Sequence, residues 1–277
     1  MGLRINTNTQ SLQAQNSLNK NVKKKNQALQ KLASGSRINK ASDDAAGLAI
    51  SEKLKANIRG ARQASRNAGD GISMVQTAEG GMQEVSNILT RLRELSVQAA
   101  SDTVGEKERQ FTDLEFQQLT KEVDRIANST NFNGIDLING EGKSVEIQVG
   151  SGNDAQNDRI SYDTQSTSVR TEDLGIESLS VKTQEQAQEN LDKIDQAMEK
   201  VNGNRATLGA LQNRLESTER NLGTSIENMS AAKSRIRDTD VAQTSSELTK
   251  ANILTNASTS VLAQANSSKN SALKLIG

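Results

Sequence analysis

The chain has 277 residues, of which 33% are hydrophobic and only 1% aromatic, and it contains no Pro, Cys or His. These absences exclude disulfides, thiol nucleophiles, Cys-ligated zinc, HExxH sites and Ser-His-Asp catalysis, and they remove the strongest breaker of long helices. The formal net charge is zero, but residues 1–42 carry eight basic and no acidic side chains, whereas residues 101–200 carry 21 acidic and 10 basic ones. The basic segment has no aromatic residue to stack on bases, which argues against nucleic-acid binding, and no apolar run approaches the roughly 20 residues of a membrane span.

The N-terminal segment has a sparse apolar stripe in a strongly polar background, which predicts a helix over much of residues 1–42. A helix of this kind is marginal in water, because most helix stability comes from packing an apolar face. We therefore expect the segment to be disordered in the monomer and to fold when it finds a partner helix. The stripe consists of Leu12, Leu18, Val22, Leu29 and Leu32.

A second helix is predicted after Ser42-Asp43-Asp44, which reads as an N-cap before an Ala-rich run. Apolar residues then recur at every seventh position, the pattern of a long helix with coiled-coil packing. Glycines at 69, 71, 80 and 81 interrupt this helix at about 1 kcal/mol each relative to Ala, and we expect them to bend it or to allow close packing. The heptad positions are Leu54, Ala61, Ala68, Val75, Met82 and Leu89.

A third, shorter helix is predicted from about Glu106 to Ala127. Its expected apolar stripe, close to the 3.6-residue period, is Phe111, Leu114, Leu119, Val123 and Ile126. Residues 131–181 are then rich in Asn, Gly, Ser, Thr and Asp, with turn signals at Asn133-Gly134 and Asn139-Gly140. Within them, residues 145–149 and 160–162 alternate apolar and polar side chains, which predicts one or two short hairpins.

One further helix is predicted from about Gln186 to the C-terminus. It begins with an unbroken heptad series, which predicts core packing, at Ile194, Val201, Leu208, Leu215, Leu222, Met229 and Ile236. Its last part, residues 238–277, again carries a sparse stripe and should be disordered until it is paired. That stripe includes Val241, Leu248, Leu254, Val261 and Leu262.

Helices at both ends and a turn-rich middle predict a mainly α fold, a long antiparallel coiled-coil helical hairpin rod with a small β-hairpin region. No cleft for a substrate is evident. The pattern favours a building block with half-hydrophobic ends, and a dimeric signalling rod and a soluble scaffold are the alternatives.

Several long segments resemble bacterial flagellin. Residues 34–54 read SGSRINKASDDAAGLAISEKL, residues 71–100 read GISMVQTAEGGMQEVSNILTRLRELSVQAA, and residues 129–134 read STNFNG. The chain also begins MGLRINTNTQSLQAQNSL and has NILTNASTSVLAQANSS near its end. The resemblance covers the chain apart from about residues 141–185.

The resemblance implies a structural subunit that polymerises into the flagellar filament for motility and has neither enzymatic activity nor a cofactor. It implies an inner terminal coiled-coil domain of residues 1–43 and 238–277, and an outer core domain of 44–237 with a variable segment at about 131–181. Implied partners are copies of the chain, an export chaperone, and the hook–filament junction and cap proteins, with no nucleic acid or membrane. The location would be an extracellular or periplasmic filament, reached without a cleaved signal peptide.

The resemblance also marks a surface. Arg91, Leu95 and Glu115 match family positions that face the adjacent subunit, and in some flagellins a Toll-like innate immune receptor binds the same surface. Independently, the spacing of Arg91 and Glu94 predicts an i,i+3 ion pair. The competing hypotheses are a hook–filament junction protein of the same family, and an enzyme, which the absence of His disfavours.

Overall fold

A computed structural model describes residues 7–273, with side chains for residues 7–268. Within that range the chain is mainly α-helical with two small hairpins, as predicted. The outermost parts of the predicted inner domain, residues 1–6 and 274–277, lie outside the described residues. The helices are α1 (Thr9–Ser34), α2 (Ala45–Ala99), α3 (Glu106–Ser129), α4 (Thr171–Leu174), α5 (Gln184–Arg237) and α6 (Val241–Leu273). The strands are β1 (Asn131–Phe132), β2 (Ile135–Asp136), β3 (Val145–Gln148) and β4 (Arg159–Tyr162).

The chain divides into two compact units. The terminal unit is Met1–Ala56 with Asn228–Gly277, and the central unit is Asn57–Glu227. Helices α2 and α5 contribute residues to both units.

In the terminal unit, α1 and α6 pack against each other in antiparallel fashion. The Asn8 side chain donates to the Ala265 carbonyl at 3.1 Å near one end of the pair, and Thr239 N–H donates to the Gly35 carbonyl at 3.0 Å near the other. Helix α1 ends at Gly35, which adopts the left-handed conformation (φ 65°) typical of a C-terminal cap. Both terminal segments are thus helical, paired with each other.

The prediction of one helix from Gln186 to the C-terminus is wrong, because the chain leaves the helix between Arg237 and Val241. Asp240 begins a new helix there, since its carboxylate accepts the Gln243 N–H at 3.0 Å. Thr239 lies between the two helices, and its N–H donates to the Gly35 carbonyl. Asp and Thr are weak helix formers and good caps, which is the local reason for the break.

In the central unit, α2 and α5 run antiparallel, with an Arg93–Asp195 ion pair at 2.7 Å. The predicted heptad residues of α2 from Ala61 to Leu89 are buried. The four heptad residues of α5 that are fully buried, at 0% exposure, are Ile194, Val201, Leu208 and Leu215. The last three heptad residues are only half-buried, namely Leu222 in the central unit and Met229 and Ile236 in the terminal unit.

Helix α3 forms where it was predicted, but the expected stripe is partly wrong. Phe111 is 72% exposed and Leu114 is 63% exposed, while Val123 is buried and Leu119 and Ile126 are half-buried. The face that packs inward includes polar residues whose hydrogen-bonding groups find partners inside the fold, so burial costs them little. Those buried residues are Arg109, Thr112, Asp113, Phe116, Thr120, Val123 and Ala127.

The predicted hairpins are present in the central unit. Strands β1 and β2 join through Asn133-Gly134, both with positive φ (53° and 78°), the geometry that a tight hairpin turn requires. Strands β3 and β4 pair with Ile147 opposite Ile160. Their buried side chains join those of the helices in one hydrophobic core.

Candidate functional site

The part of the chain that the structure describes has neither a metal-binding cluster of acidic residues nor a helix long and apolar enough to cross a membrane. Its open pockets lie along helix pairs and surfaces. Among the surfaces of the described residues, the α1–α6 pair is the most distinctive candidate site.

The α1–α6 pair makes contact through small residues. On α1, Ala14 and Ala28 are buried, at 8% and 4% exposure, and Asn21 lies midway between them and donates to Ser258 Oγ at 2.9 Å. On α6, the matching positions also recur at every seventh residue, at Thr244, Ala251, Ser258 and Ala265. We call these two series the small-residue seam. Because the buried side chains are small, the pair removes little apolar area from water.

The large apolar residues of the two predicted terminal stripes lie outside this seam. Six of the ten are classed as exposed, by 38–64% of their surface, namely Leu12, Val22, Leu29, Val241, Leu254 and Val261. The half-buried four are Leu18, Leu32, Leu248 and Leu262. An open groove of about 630 Å³ also runs between the two helices, with Leu254 and Val261 on one wall and Gln13 and Ser17 on the other. Leu254 and Val261 are seven residues apart on one face of α6 and line the same groove, and exposed aliphatic groups gathered in this way are typical of a surface that binds a partner.

A compact connection between α1 and α2 accompanies the pair. The Asp43 carboxylate accepts the backbone N–H groups of Lys40 at 3.0 Å and Asn39 at 3.1 Å, and these hydrogen bonds lower its pKa. Asp44 accepts the Gly47 N–H at 2.8 Å, so the predicted N-cap of α2 is confirmed. The Arg37 N–H donates to the Arg237 carbonyl at 2.7 Å. These bonds fix the chain segment that follows α1 against the end of α5, within the terminal unit.

The central unit carries the surface predicted around Arg91. Its guanidinium binds Glu94 at 2.9 Å, which confirms the predicted i,i+3 pair, and Glu115 of α3 at 2.8 Å. The hydrogen bonds that the guanidinium donates, to Glu94 first and then to Glu115, raise the pKa of Arg91. Leu95 is placed elsewhere: its side chain is only 2% exposed and belongs to the hydrophobic core. The prediction that Leu95 faces a neighbouring subunit therefore disagrees with its burial, because a core side chain offers no surface to a partner.

Two family models match the chain. The bacterial flagellin N-terminal helical region matches residues 5–143, and the bacterial flagellin C-terminal helical region matches residues 191–276. The chain belongs to the bacterial flagellin family. The members of this family are structural proteins, and the family is not an enzyme family.

Curated flagellins match along almost their whole length. The flagellin of Halalkalibacterium halodurans is 43% identical over 98% of this chain and 99% of its own. That of Bacillus subtilis is 40% identical over 99% of this chain and 100% of its own. Among solved structures, the flagellin of Bacillus cereus has 34% identity and a TM-score of 0.51, covering 61% of this chain and 94% of its own.

A putative flagellar hook-associated protein from Vibrio parahaemolyticus has a TM-score of 0.56 and covers 71% of this chain and all of its own. Its identity is only 15%, so the likeness shows a shared fold alone. The junction-protein hypothesis is therefore not favoured over flagellin.

The small-residue seam is the feature of this flagellin that sequence reasoning missed. A search for periodic large apolar residues finds the exposed rows and overlooks the contact, which is made by Ala, Thr, Ser and Asn. The available signal was the seven-residue spacing of small residues in α6, at positions 244, 251, 258 and 265.

Proposed function

We propose that this flagellin is the structural subunit of a flagellar filament and that it polymerises with copies of itself. A relative in Treponema maltophilum, 40% identical over 98% of this chain, is named a flagellar filament 30.7 kDa core protein. The observation that carries the proposal is the α1–α6 pair, which is held by small side chains and leaves six of the ten large aliphatic residues of its stripes exposed.

The same geometry supports folding coupled to assembly. A helix pair that buries mainly Ala and Thr gains too little hydrophobic free energy to offset the entropy of ordering about 60 residues. Burial of the exposed Leu and Val rows against neighbouring subunits supplies the missing stabilisation. On this account the ends are disordered in the free monomer and helical in the filament.

Membership of the flagellin family supports further proposals about domains, export and partners. Residues 1–43 and 238–277 form the inner domain of the filament and residues 44–237 the outer one, while Arg91 and Glu115 face an adjacent subunit. The chain reaches an extracellular flagellum unfolded, through the export apparatus and without a cleaved signal peptide. Before export, a chaperone covers the exposed row on α6, and hook–filament junction and cap proteins bind the same ends. The exposed Arg91–Glu115 pair is also where a Toll-like receptor would bind.

The filament function is tested by electron microscopy of purified full-length chain seeded with filament fragments, beside a copy that lacks residues 1–42 and 238–277. We expect filaments from the full-length chain only. Filaments from the truncated copy would show that the terminal pair is not the assembly element. If filaments of the full-length chain never elongate, the filament function is contradicted and the junction-protein hypothesis is favoured instead.

A further inference from the structure

The central unit carries two oppositely charged helix faces. The basic stripe is Arg59, Arg62 and Arg66 of α2, and their spacing of three and four residues places them on one helix face. The acidic stripe is on α5, also at spacings of three and four, at Glu185, Glu189, Asp192, Asp195 and Glu199. All eight side chains are exposed.

The two stripes lie at opposite ends of the central unit. Asp195 of the acidic stripe pairs with Arg93 of α2 at 2.7 Å. The basic stripe lies about 31 residues earlier on the same continuous helix, which corresponds to about 47 Å at 1.5 Å per residue. Since α5 runs antiparallel to α2, with Leu215 next to Gly71, the acidic stripe stays at the far end. The two stripes therefore cannot neutralise each other within one subunit.

The chain does not otherwise neutralise these faces. Among the described residues, no carboxylate lies within ion-pair distance of Arg59, Arg62 or Arg66, and on the acidic stripe only Asp195 is paired. Hydrogen bonding to Arg93 lowers the pKa of Asp195, so it is a carboxylate at neutral pH. The Lys193 side chain lies about 100° around the helix from the middle of the stripe. Both faces thus present net charge to solvent.

The charge of the whole unit restricts the possible partners. The central unit has 28 acidic and 18 basic residues, so two copies repel each other unless their charges are locally complementary. The basic stripe supplies that complementarity for the acidic one. Contact between different patches on successive copies is heterologous, and such contacts generate a ring when the rotation closes and an open helical polymer when it does not.

Building on the filament function proposed above, we propose that the basic stripe of one subunit docks against the acidic stripe of the next copy, head to tail. This contact gives the polymer a direction, because each subunit offers a basic face at one end of its central unit and an acidic face at the other. Exposed ion pairs are individually weak, but three that form together also exclude wrong registers by like-charge repulsion.

The test exchanges the charges of the two stripes. One full-length variant carries R59E, R62E and R66E, and the other carries E185K, E189K and D192K. In either variant alone, like charges meet at every proposed contact, so we expect the critical concentration for seeded assembly to rise at least about tenfold. In an equimolar mixture the reversed faces complement each other, and alternating subunits should assemble within about twofold of the wild-type critical concentration.

A third variant, with Lys107, Lys121 and Lys143 replaced by Glu, controls for net charge, and far-UV circular dichroism checks that every variant folds. Near wild-type assembly of this control together with the pattern above would support the contact. Assembly of the R59E/R62E/R66E variant as good as that of the control would overturn it, as would failure of the mixture when both components are folded. Failure of the wild-type chain to elongate would instead overturn the filament function itself.

Discussion

The adjacent glycines 80 and 81 of α2 should respond in opposite directions to the same substitution. Neither has positive φ, so both are helical positions where Ala is preferred by about 1 kcal/mol. A Cβ added at Gly80 meets nothing within 4 Å. Gly80→Ala should therefore stabilise the chain by about 0.5–1 kcal/mol.

A Cβ added at Gly81 meets a packed interior. It would lie 2.6 Å from Thr130 Oγ1 and 2.9 Å from Ile138 Cδ1. The Thr130 hydroxyl cannot move freely, because it donates to the Ile126 carbonyl at 2.8 Å at the end of α3, and Ile138 is fully buried. Overpacking of this kind costs about 1–3 kcal/mol, which outweighs the helix preference and leaves Gly81→Ala destabilising by about 1 kcal/mol.

Thermal unfolding of the monomer measures the difference. For a unit of 171 residues, 1 kcal/mol corresponds to about 2–4 °C in Tm. The two variants should therefore differ by about 3–8 °C, with wild type between them. Gly69→Ala is the matched control, because a Cβ there also meets nothing within 4 Å. If Gly81→Ala raised Tm as much as Gly80→Ala, the close packing of α2 against Thr130 would be refuted.

Three further predictions concern buried polar groups and the seam. Asp113→Ala removes the carboxylate oxygen Oδ1 that accepts both the Val181 N–H at 2.9 Å and the Ser180 hydroxyl at 2.8 Å. Urea unfolding should therefore show a loss of about 1–3 kcal/mol, and an unchanged midpoint would contradict this. Burial raises the pKa of Tyr162 above its ordinary value near 10. The folded state then holds the phenol proton more tightly, and the free energy of unfolding should be level below that pH and fall above it. As the chain has one Tyr and no Trp, absorbance of the phenolate reports this group alone, and a native titration at or below pH 10 would refute the shift. Ala28 is 4% exposed in the small-residue seam, so Ala28→Leu should overpack it and destabilise the α1–α6 pair by about 1–3 kcal/mol. Amide exchange in α1 of assembled filaments should then be faster. Unchanged exchange would show that the seam tolerates large residues.

The helices were predictable because heptad spacing survives in α2 and α5, where Val75, Leu89, Val201 and Leu208 are all fully buried. Hairpins were likewise signalled by alternation and by Asn133-Gly134. In these places local preference and tertiary packing agree.

The errors have a common physical cause. On α3 the buried face holds Asp113 and Arg109, whose partners come from distant segments: Asp113 accepts from residue 181 and Arg109 donates to the Ala99 carbonyl at 2.8 Å. A search for periodic apolar residues treats such polar residues as exposed. It therefore placed Phe111 on the buried face of the helix. Similarly, the break at residues 238–240 depends on a cap by Asp240 and a long-range bond to Gly35, which a heptad count does not detect.

The most direct test of the account concerns Leu12 and Val261, each 58% exposed on the terminal pair. If these side chains contact neighbouring subunits, replacing both by Ala removes about 1 kcal/mol of burial each. The critical concentration for seeded assembly of the full-length double variant should then rise about 30-fold, while Lys24→Ala, at an exposed polar position of α1, should leave it unchanged. A critical concentration for the double variant equal to that of Lys24→Ala would show that these apolar rows do not hold the filament together.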